Sequence, residues 1–583
     1  MVASGPSTAV SAACTPPPAA QVAEYLGIDE LAARGITGDG VTIGVISTSF
    51  DNSTAPTAMT AAQDIVSGAL PGIGNPCGWE TPVEVLHDDA PSDDEGRAML
   101  QIVHAIAPAA RLVFTSANSD EVNAGASDDE SMANAIDALV AAGADIIVDD
   151  IMLVTDTAYA AGLAAAAADR AAASGVAYVV AAGNLGHVGA DTIAGVPQAS
   201  GGYQIAGWQT SEFRAISCPV SVVAAMAPDA VECMDFDPES GEDVTARYTI
   251  YVEPGQDSQV DATLQWSDQP YAVTSELYGF FLDESGTLTD ALEPELPVVA
   301  GLPMALGLPF AGLPDSTAIT RDLVIARVAG PALTEPLAVR FAFWDDNLPR
   351  VVQAAEYYQS TATDVVGSTL IGRAANRSAL AVAAQPFADP AYVGCPGDVV
   401  VECFSSTGPQ ARYYAPLDGT TPPARLSTPE TRNGPTITGL DGIPTTFFDE
   451  EVDGTWLFYG TSAATPVVGA VLALGMQVAP TATIGSLVDS LLATASALQT
   501  PWNGTTDDMV VGAGLVHPSA FIDRLAPTPS PSPSGSGAAA AVLAESGDTT
   551  PVLLVLLLGG ALLVLGTVLV VGRRRKAVSA DRV

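Results

Sequence analysis

Lysine is all but missing from this chain: of 583 residues only Lys576 is a lysine. Lys+Arg total 21 against 67 Asp+Glu, a formal net charge of −46 at pH 7. So acidic a surface repels phosphate backbones, which argues against nucleic acid as a partner. Histidine is scarce as well, with four residues, His87, His104, His187 and His517. No Asp-x-Asp-x-Asp-Gly loop is present, so no calcium site is expected, nor any other metal or cofactor. Met1 to Pro18 lacks a basic start and a continuous apolar stretch, the two marks of a signal peptide.

One long apolar run is present, near the C-terminus. Val552 to Val571 holds only apolar and glycine residues plus one threonine, long enough at about 1.5 Å per residue to cross a bilayer core of roughly 30 Å. Arg573-Arg-Arg-Lys576 follows at once, and a basic flank of this kind stays in the cytoplasm. The expectation is a single-pass protein of the cell membrane, extracellular over 1–550, with a transmembrane helix at 551–572 and a cytoplasmic tail at 573–583. Residues 526–550 begin Ala526-Pro-Thr-Pro-Ser-Pro and read as a Pro/Ser linker. An exterior location requires a signal sequence, so the start of the chain is expected to be trimmed or misplaced; a cytosolic tail-anchored protein is the other possibility. Six cysteines fit export: Cys218 lies near Cys233 and Cys395 near Cys403, leaving Cys14 and Cys77. An even count at such spacing reads as disulfides, with the pairing open.

Within the chain, Phe458-Tyr-Gly-Thr-Ser-Ala-Ala-Thr-Pro466 runs into the apolar Val467-Val-Gly-Ala-Val-Leu-Ala-Leu474. Glycine permits a tight turn, a serine stands at the mouth of a helix, and Pro466 is expected in the first helical turn, where its missing N–H costs nothing. Ser462 then faces unpaired N–H groups at the positive end of a helix dipole, a setting that stabilises an oxyanion. In isolation, a buried helix with a Thr or Ser cap would read the same way.

Gly-Thr-Ser-Ala-Ala-Thr-Pro resembles the serine motif of subtilisin-like proteases and sedolisins, and other segments resemble the same superfamily in the same order. Gly38-Asp-Gly-Val-Thr-Ile-Gly-Val-Ile-Ser47 is similar to its first core strand and Ala144-Asp-Ile-Ile-Val148 to a central one. Val179-Val-Ala-Ala-Gly-Asn-Leu-Gly186 is similar to the strand and turn that carry the oxyanion-hole asparagine, here Asn184. Phe404-Ser-Ser-Thr-Gly-Pro409 and Gly512-Ala-Gly-Leu-Val-His517 match later landmarks. The resemblance implies an α/β fold, a parallel sheet with helices on both faces, and a serine endopeptidase acting on peptide or protein substrates.

The departures from that pattern matter equally. A serine hydroxyl needs a positioned base to take its proton, yet Thr48 stands at the family's aspartate position and Glu95, in Asp93-Asp-Glu-Gly-Arg-Ala-Met99, at its histidine position. Sedolisins carry a glutamate base there, with a supporting aspartate one turn along, where this chain has Met99. Ser462, Glu95 and Asn184 are thus the expected catalytic residues, as nucleophile, base and oxyanion donor. Asp51, Asp149 and Asp150 could each support Glu95. A glutamate base implies turnover at acidic to mildly acidic pH. An N-terminal helix glutamate favoured by the dipole is the bland alternative for Glu95, and an asparagine in a left-handed turn is that for Asn184. Thr48, Met99 and the missing histidine also leave open a pseudoprotease that binds peptides or a partner without cutting them. His104 lies nine positions after Glu95, on the opposite helix face at about 100° per residue, and His87, His187 and His517 offer no better base.

Between these landmarks, Arg247–Val252, Val260–Trp266, Leu277–Leu282, Leu323–Val328 and Leu337–Phe343 are short β-type runs separated by turn residues, the pattern of a small β-sandwich. The expected organisation is an N-terminal extension at 1–23, a discontinuous peptidase domain at 24–200 and 361–525, and a β-sandwich insert at 201–360.

Overall fold

The computed structural model describes residues 16–526, apart from 55–58, 89–91, 118–121, 123–125, 240, 253–257, 259, 295–300, 311, 315, 331–332, 334, 345–350, 388–399 and 501. The apolar span at 552–571 and the linker before it lie outside the described residues. Strands that read as near-continuous apolar runs are those buried on both faces, as in a parallel sheet. Six such strands and one exposed edge strand, β2, build the centre: β1 Thr42–Ile46, β2 Glu84–His87, β3 Arg111–Thr115, β4 Ile146–Asp149, β5 Ala177–Ala181, β6 Ala379–Pro386 and β7 Ile437–Asp441. Their order is β2-β3-β1-β4-β5-β6-β7, every pairing parallel.

Alternation along each strand divides the core into two layers. Val45, Phe114, Val148 and Val382 face one way, against α1 (Glu95–Ile106) and α4 (Thr461–Val478). Val113, Ile147, Tyr178 and Ala381 face the other way, against α2 (Asp128–Ala141) and α3 (Leu163–Ala173). Helix α4 sits so close to the sheet that a Cβ at Gly469 would lie 2.5 Å from Val148 Cγ2. Among the described residues it is also the one helix long and apolar enough to cross a membrane, but 83% of it is buried within the fold. Residues near the start join this core: Val22 and Ala23, from the helix Ala20–Tyr25, are buried in it.

Pro466 is not in the first turn. Helix α4 begins at Thr461, which puts Pro466 in its interior. Its absent N–H therefore leaves the Ser462 carbonyl without the usual i+4 donor.

The strand-rich middle of the chain forms two antiparallel sheets. One contains Ala246–Tyr251, Leu277–Leu282 and Ala318–Val328; the other contains Ala262–Trp266, Val339–Phe343 and Gly207–Thr210, with Asp364–Val366 at its edge. Phe341 meets Phe281 and Tyr248 between them, at 6.1 and 5.9 Å between ring centroids. Cys218 and Cys233 are joined by a disulfide; Cys77 and Cys403 are each disulfide-bonded as well, and Cys14 and Cys395 lie outside the described residues. Gln265 fastens this layer to the loop after β4, accepting from Ala158 N–H at 2.7 Å and donating to Asp156 O at 3.0 Å.

Leu472, fully buried in α4, tests how far stability rests on this helix. Leu472→Ala should cost about 2–5 kcal/mol in denaturant unfolding, whereas Val220→Ala, at an exposed site, should change it by less than about 0.5 kcal/mol.

Candidate active site

In open α/β sheets ligands lie beyond the carboxyl ends of the strands, where the strand order reverses. Here the chain runs from β1 out to β2 and β3 and then crosses back to β4, which lies on the other side of β1. Past the carboxyl ends of these strands, the turn after β5, the start of α1 and the start of α4 meet around a cavity of about 220 Å³. Glu95, Asn184 and Ser462 all line it, together with Asp93, Asp449, Phe404, Phe448 and Tyr459.

Ser462 is the second residue of α4, and the turn before it is held from two sides. Gly460, at φ 103°, donates its N–H to Asp441 Oδ2 at 3.0 Å. Asn184 Oδ1 accepts from the N–H and hydroxyl of Thr461 at 2.9 and 2.8 Å. With the carbonyl end of the amide so engaged, Nδ2 is left beside the turn. A Cβ built at Gly460 would lie 3.0 Å from it, so this position combines a left-handed backbone with a close approach and accepts glycine alone.

Glu95 opens α1 and is half-buried. Desolvation, together with the negative charge of Asp93, pushes its carboxyl up to about 7, although hydrogen bonds from Ser462 and Asp150 work the other way. The base candidate and the nucleophile candidate are therefore in contact. Next to Glu95, Asp94 has φ 65° and clamps the loop after β1: its carboxylate accepts from Ser49 Oγ and the N–H groups of Asn52 and Ser53 at 2.8–2.9 Å, and from Arg97 at 2.8 Å. Arg97 also pairs with Asp64 in the interior. Neither Asp94 nor Asp441 stands out in the sequence; an arginine three positions after Asp94, at Arg97, is the one local signal for the clamp.

Of the three carboxylates that could support Glu95, the structure brings one to it. Asp51 accepts from Ala61 N–H at 2.9 Å, at the start of another helix. Asp149 is taken by Tyr178 OH at 2.6 Å and Arg373 Nε at 2.7 Å. Asp150 is buried, hydrogen-bonded to Glu95 and to Ser47 Oγ, the latter at 3.0 Å. Thr48 donates to Asp93 at 2.6 Å, and Met99 is fully buried in the apolar core.

No histidine lines the cavity. His104 and His187 are buried, and desolvation lowers both to about 4. His104 packs edge-on against Trp79, and His187 bonds to Val352 O at 2.5 Å. His517 accepts from Ala520 N–H as a helix cap, and His87 ends β2.

The subtilase family model, Peptidase S8, matches residues 90–514. No curated protein matches the chain. Solved structures similar to it include the Clostridium perfringens CspB protease, at 11% sequence identity over 86% of this chain and 99% of that one, with a TM-score of 0.44. MycP1 from Mycobacterium smegmatis matches at 15% identity over 88% and 86%, TM-score 0.33. The prenylagaramide maturation protease PagA matches at 14% over 86% and 99%, TM-score 0.35.

A carboxyl raised on folding binds its proton more tightly in the native state, so its effect on stability is most favourable below the unfolded value of 4.5 and is lost as pH climbs towards about 7. Glu95→Gln removes that loss. The variant should unfold at higher denaturant concentration than the wild type at about pH 8 and show little of this gain at about pH 4; equal shifts at both pH values would refute the raised carboxyl.

Proposed function

Because the chain belongs to the subtilase family, whose members are serine proteases, we propose that it is a membrane-anchored extracellular endopeptidase in which Ser462 is the nucleophile, Glu95 the base and Asn184 an oxyanion donor. The observation that carries this reading is that Ser462 and Glu95 meet on the same cavity as the Asn184 amide. Ser462 Oγ bonds to the peptide carbonyl carbon while its proton passes to Glu95. Asn184 Nδ2, the Ser462 N–H and the positive end of α4 hold the oxygen that gains charge. Glu95 then gives its proton to the leaving nitrogen, and a water repeats the sequence to free the acyl group.

A base acts only in the fraction that is ionised, and burial moves that fraction. With the Glu95 carboxyl near 7, activity rises towards neutral pH, in place of the acidic optimum that an unperturbed glutamate implies. For the membrane placement the support is the apolar run at 552–571 with its arginine-rich flank.

A fluorophosphonate probe should label the protein at Ser462, and Ser462→Ala should abolish both labelling and peptide hydrolysis. Glu95→Gln should lose a similar factor, since members of such a unit do not contribute additively. Asn184→Ala should lower kcat by about 10²–10³-fold. Peptide binding without Ser462-dependent labelling at any pH would leave a pseudoprotease instead.

Topology has its own readout. Protease added to intact cells should release a fragment ending within 526–550 and leave the tail after 572 protected. A chain digested only after lysis would place residues 1–550 inside.

A further inference from the structure

A hydrogen bond can join two carboxyl groups only when a proton lies between them, because a carboxylate offers acceptors alone. Glu95 and Asp150 are joined in this way. The two oxygens of Asp150 have different surroundings. Oδ2 accepts from Ser47 Oγ at 3.0 Å, whereas Oδ1 is shut off from solvent and receives no donor hydrogen among the described residues. As part of an anion, Oδ1 would be a desolvated acceptor without a donor; as part of a protonated carboxyl it is satisfied.

The neighbours press the same way. Asp150, 7% exposed, feels the negative charge of Glu95 from α1 and of Asp149 from β4. Glu95 in turn faces Asp93 from its own helix start and Asp449 from the turn before the strand Glu450–Val452. The nearby arginines are committed elsewhere, Arg373 to Asp149 and Arg97 to Asp64 and Asp94. Carboxyls packed together without a cation share a proton rather than both ionise.

We propose that Asp150 is the positioning residue of this site: a neutral carboxyl, fixed by Ser47, that donates a hydrogen bond to Glu95 and so holds it ionised and oriented towards Ser462. This rests on the roles of Ser462 and Glu95 given above. During acylation the Ser462 proton moves to Glu95 as Oγ bonds to the carbonyl carbon and the carbonyl electron pair moves onto oxygen; Glu95 then protonates the nitrogen as the C–N bond breaks. Asp150 keeps its own proton throughout. Support thus reaches Glu95 from the end of the adjoining strand, since Met99, one turn along α1, has only apolar surface to offer.

The test is the pH dependence of Ser462 labelling by a fluorophosphonate, using full-length protein in detergent. Removing a donor to the charged form raises a pKa, and removing a like charge lowers it. Asp150→Ala should therefore move the acid limb of the rate profile upward by about one pH unit or more, with a roughly fivefold or greater loss of rate at about pH 7. Asp150→Asn, whose amide can still donate, should keep the limb within a few tenths of a unit of the wild type. A downward shift in Asp150→Asn would mean that Asp150 is ionised and would overturn the proposal. Loss of rate in both variants with an unmoved limb would overturn it too, leaving Asp150 a structural role only. An infrared protonated-carboxyl band that persists at about pH 8 and disappears in Asp150→Asn supports the proposal independently of activity, and its absence counts against it. That measurement still decides the matter if Asp150→Ala fails to fold, or if the wild type is not labelled and the catalytic reading itself falls.

Discussion

Helix α4 is apolar on every side because it is enclosed, with the sheet beneath it and α1 beside it, and this enclosure fixes the position of Ser462. Buried interiors are packed to crystal-like density, so a helix locked at many points cannot slide. Gly469 lets α4 approach Val148, and at Gly439 of β7 a Cβ would stand 2.3 Å from the Ala464 carbonyl oxygen. Having no freedom along its length, the helix has none at its first turn either. Asn184 and Asp441 then need only hold Thr461 and Gly460 to define where the hydroxyl and N–H of Ser462 lie.

The electrostatics of the cleft follow from acids meeting there with no cation among the described residues that line it. Glu95 stands among Asp93, Asp150 and Asp449, while Arg97, only two residues along the helix from Glu95, is turned inward to Asp64 and Asp94. A carboxylate base also changes the charge balance of the chemistry. When a histidine takes a proton, opposite charges are created; when Glu95 takes one, a negative charge moves from the base to the oxyanion. Stabilisation must then come from dipoles placed where the charge arrives, namely the Asn184 amide and the start of α4. The burial that raises Glu95, helped by the charge of Asp93, opposes folding at neutral pH, the usual tension between a poised site and a stable one.

The elements legible in the sequence were those whose signal is local. Gly38 to Ser47 and Val179 to Gly186 carry strand-like apolar runs ending at the turns that bear Thr48 and Asn184, and the structure has strands at Thr42–Ile46 and Ala177–Ala181. The serine-bearing turn announced itself through Gly460, Ser462 and the apolar run behind them. Pro466 was misplaced because a helix start is defined by hydrogen bonding, and α4 begins a full turn before the proline. The protonation of Glu95 is hidden from the sequence for a related reason: a free glutamate is not desolvated, and at Glu95 desolvation is the largest influence, raising the carboxyl to about 7.

The sequence by itself determined the parallel α/β fold, the glycine turn ahead of Ser462, and the presence of glutamate and threonine where a histidine and an aspartate would complete the usual set. These depend on backbone freedom, strand periodicity and residue identity, all of which are properties of short stretches of chain. Only the tertiary structure decided that Asp150, rather than Asp51 or Asp149, meets Glu95. Asp149 and Asp150 are adjacent in sequence, but successive side chains near a strand end point to opposite faces. One is drawn to Arg373, some 220 residues away, and the other to Glu95 at the start of a different helix. Which partner each acid finds is a property of how the strands and helices are assembled, and no local pattern encodes it.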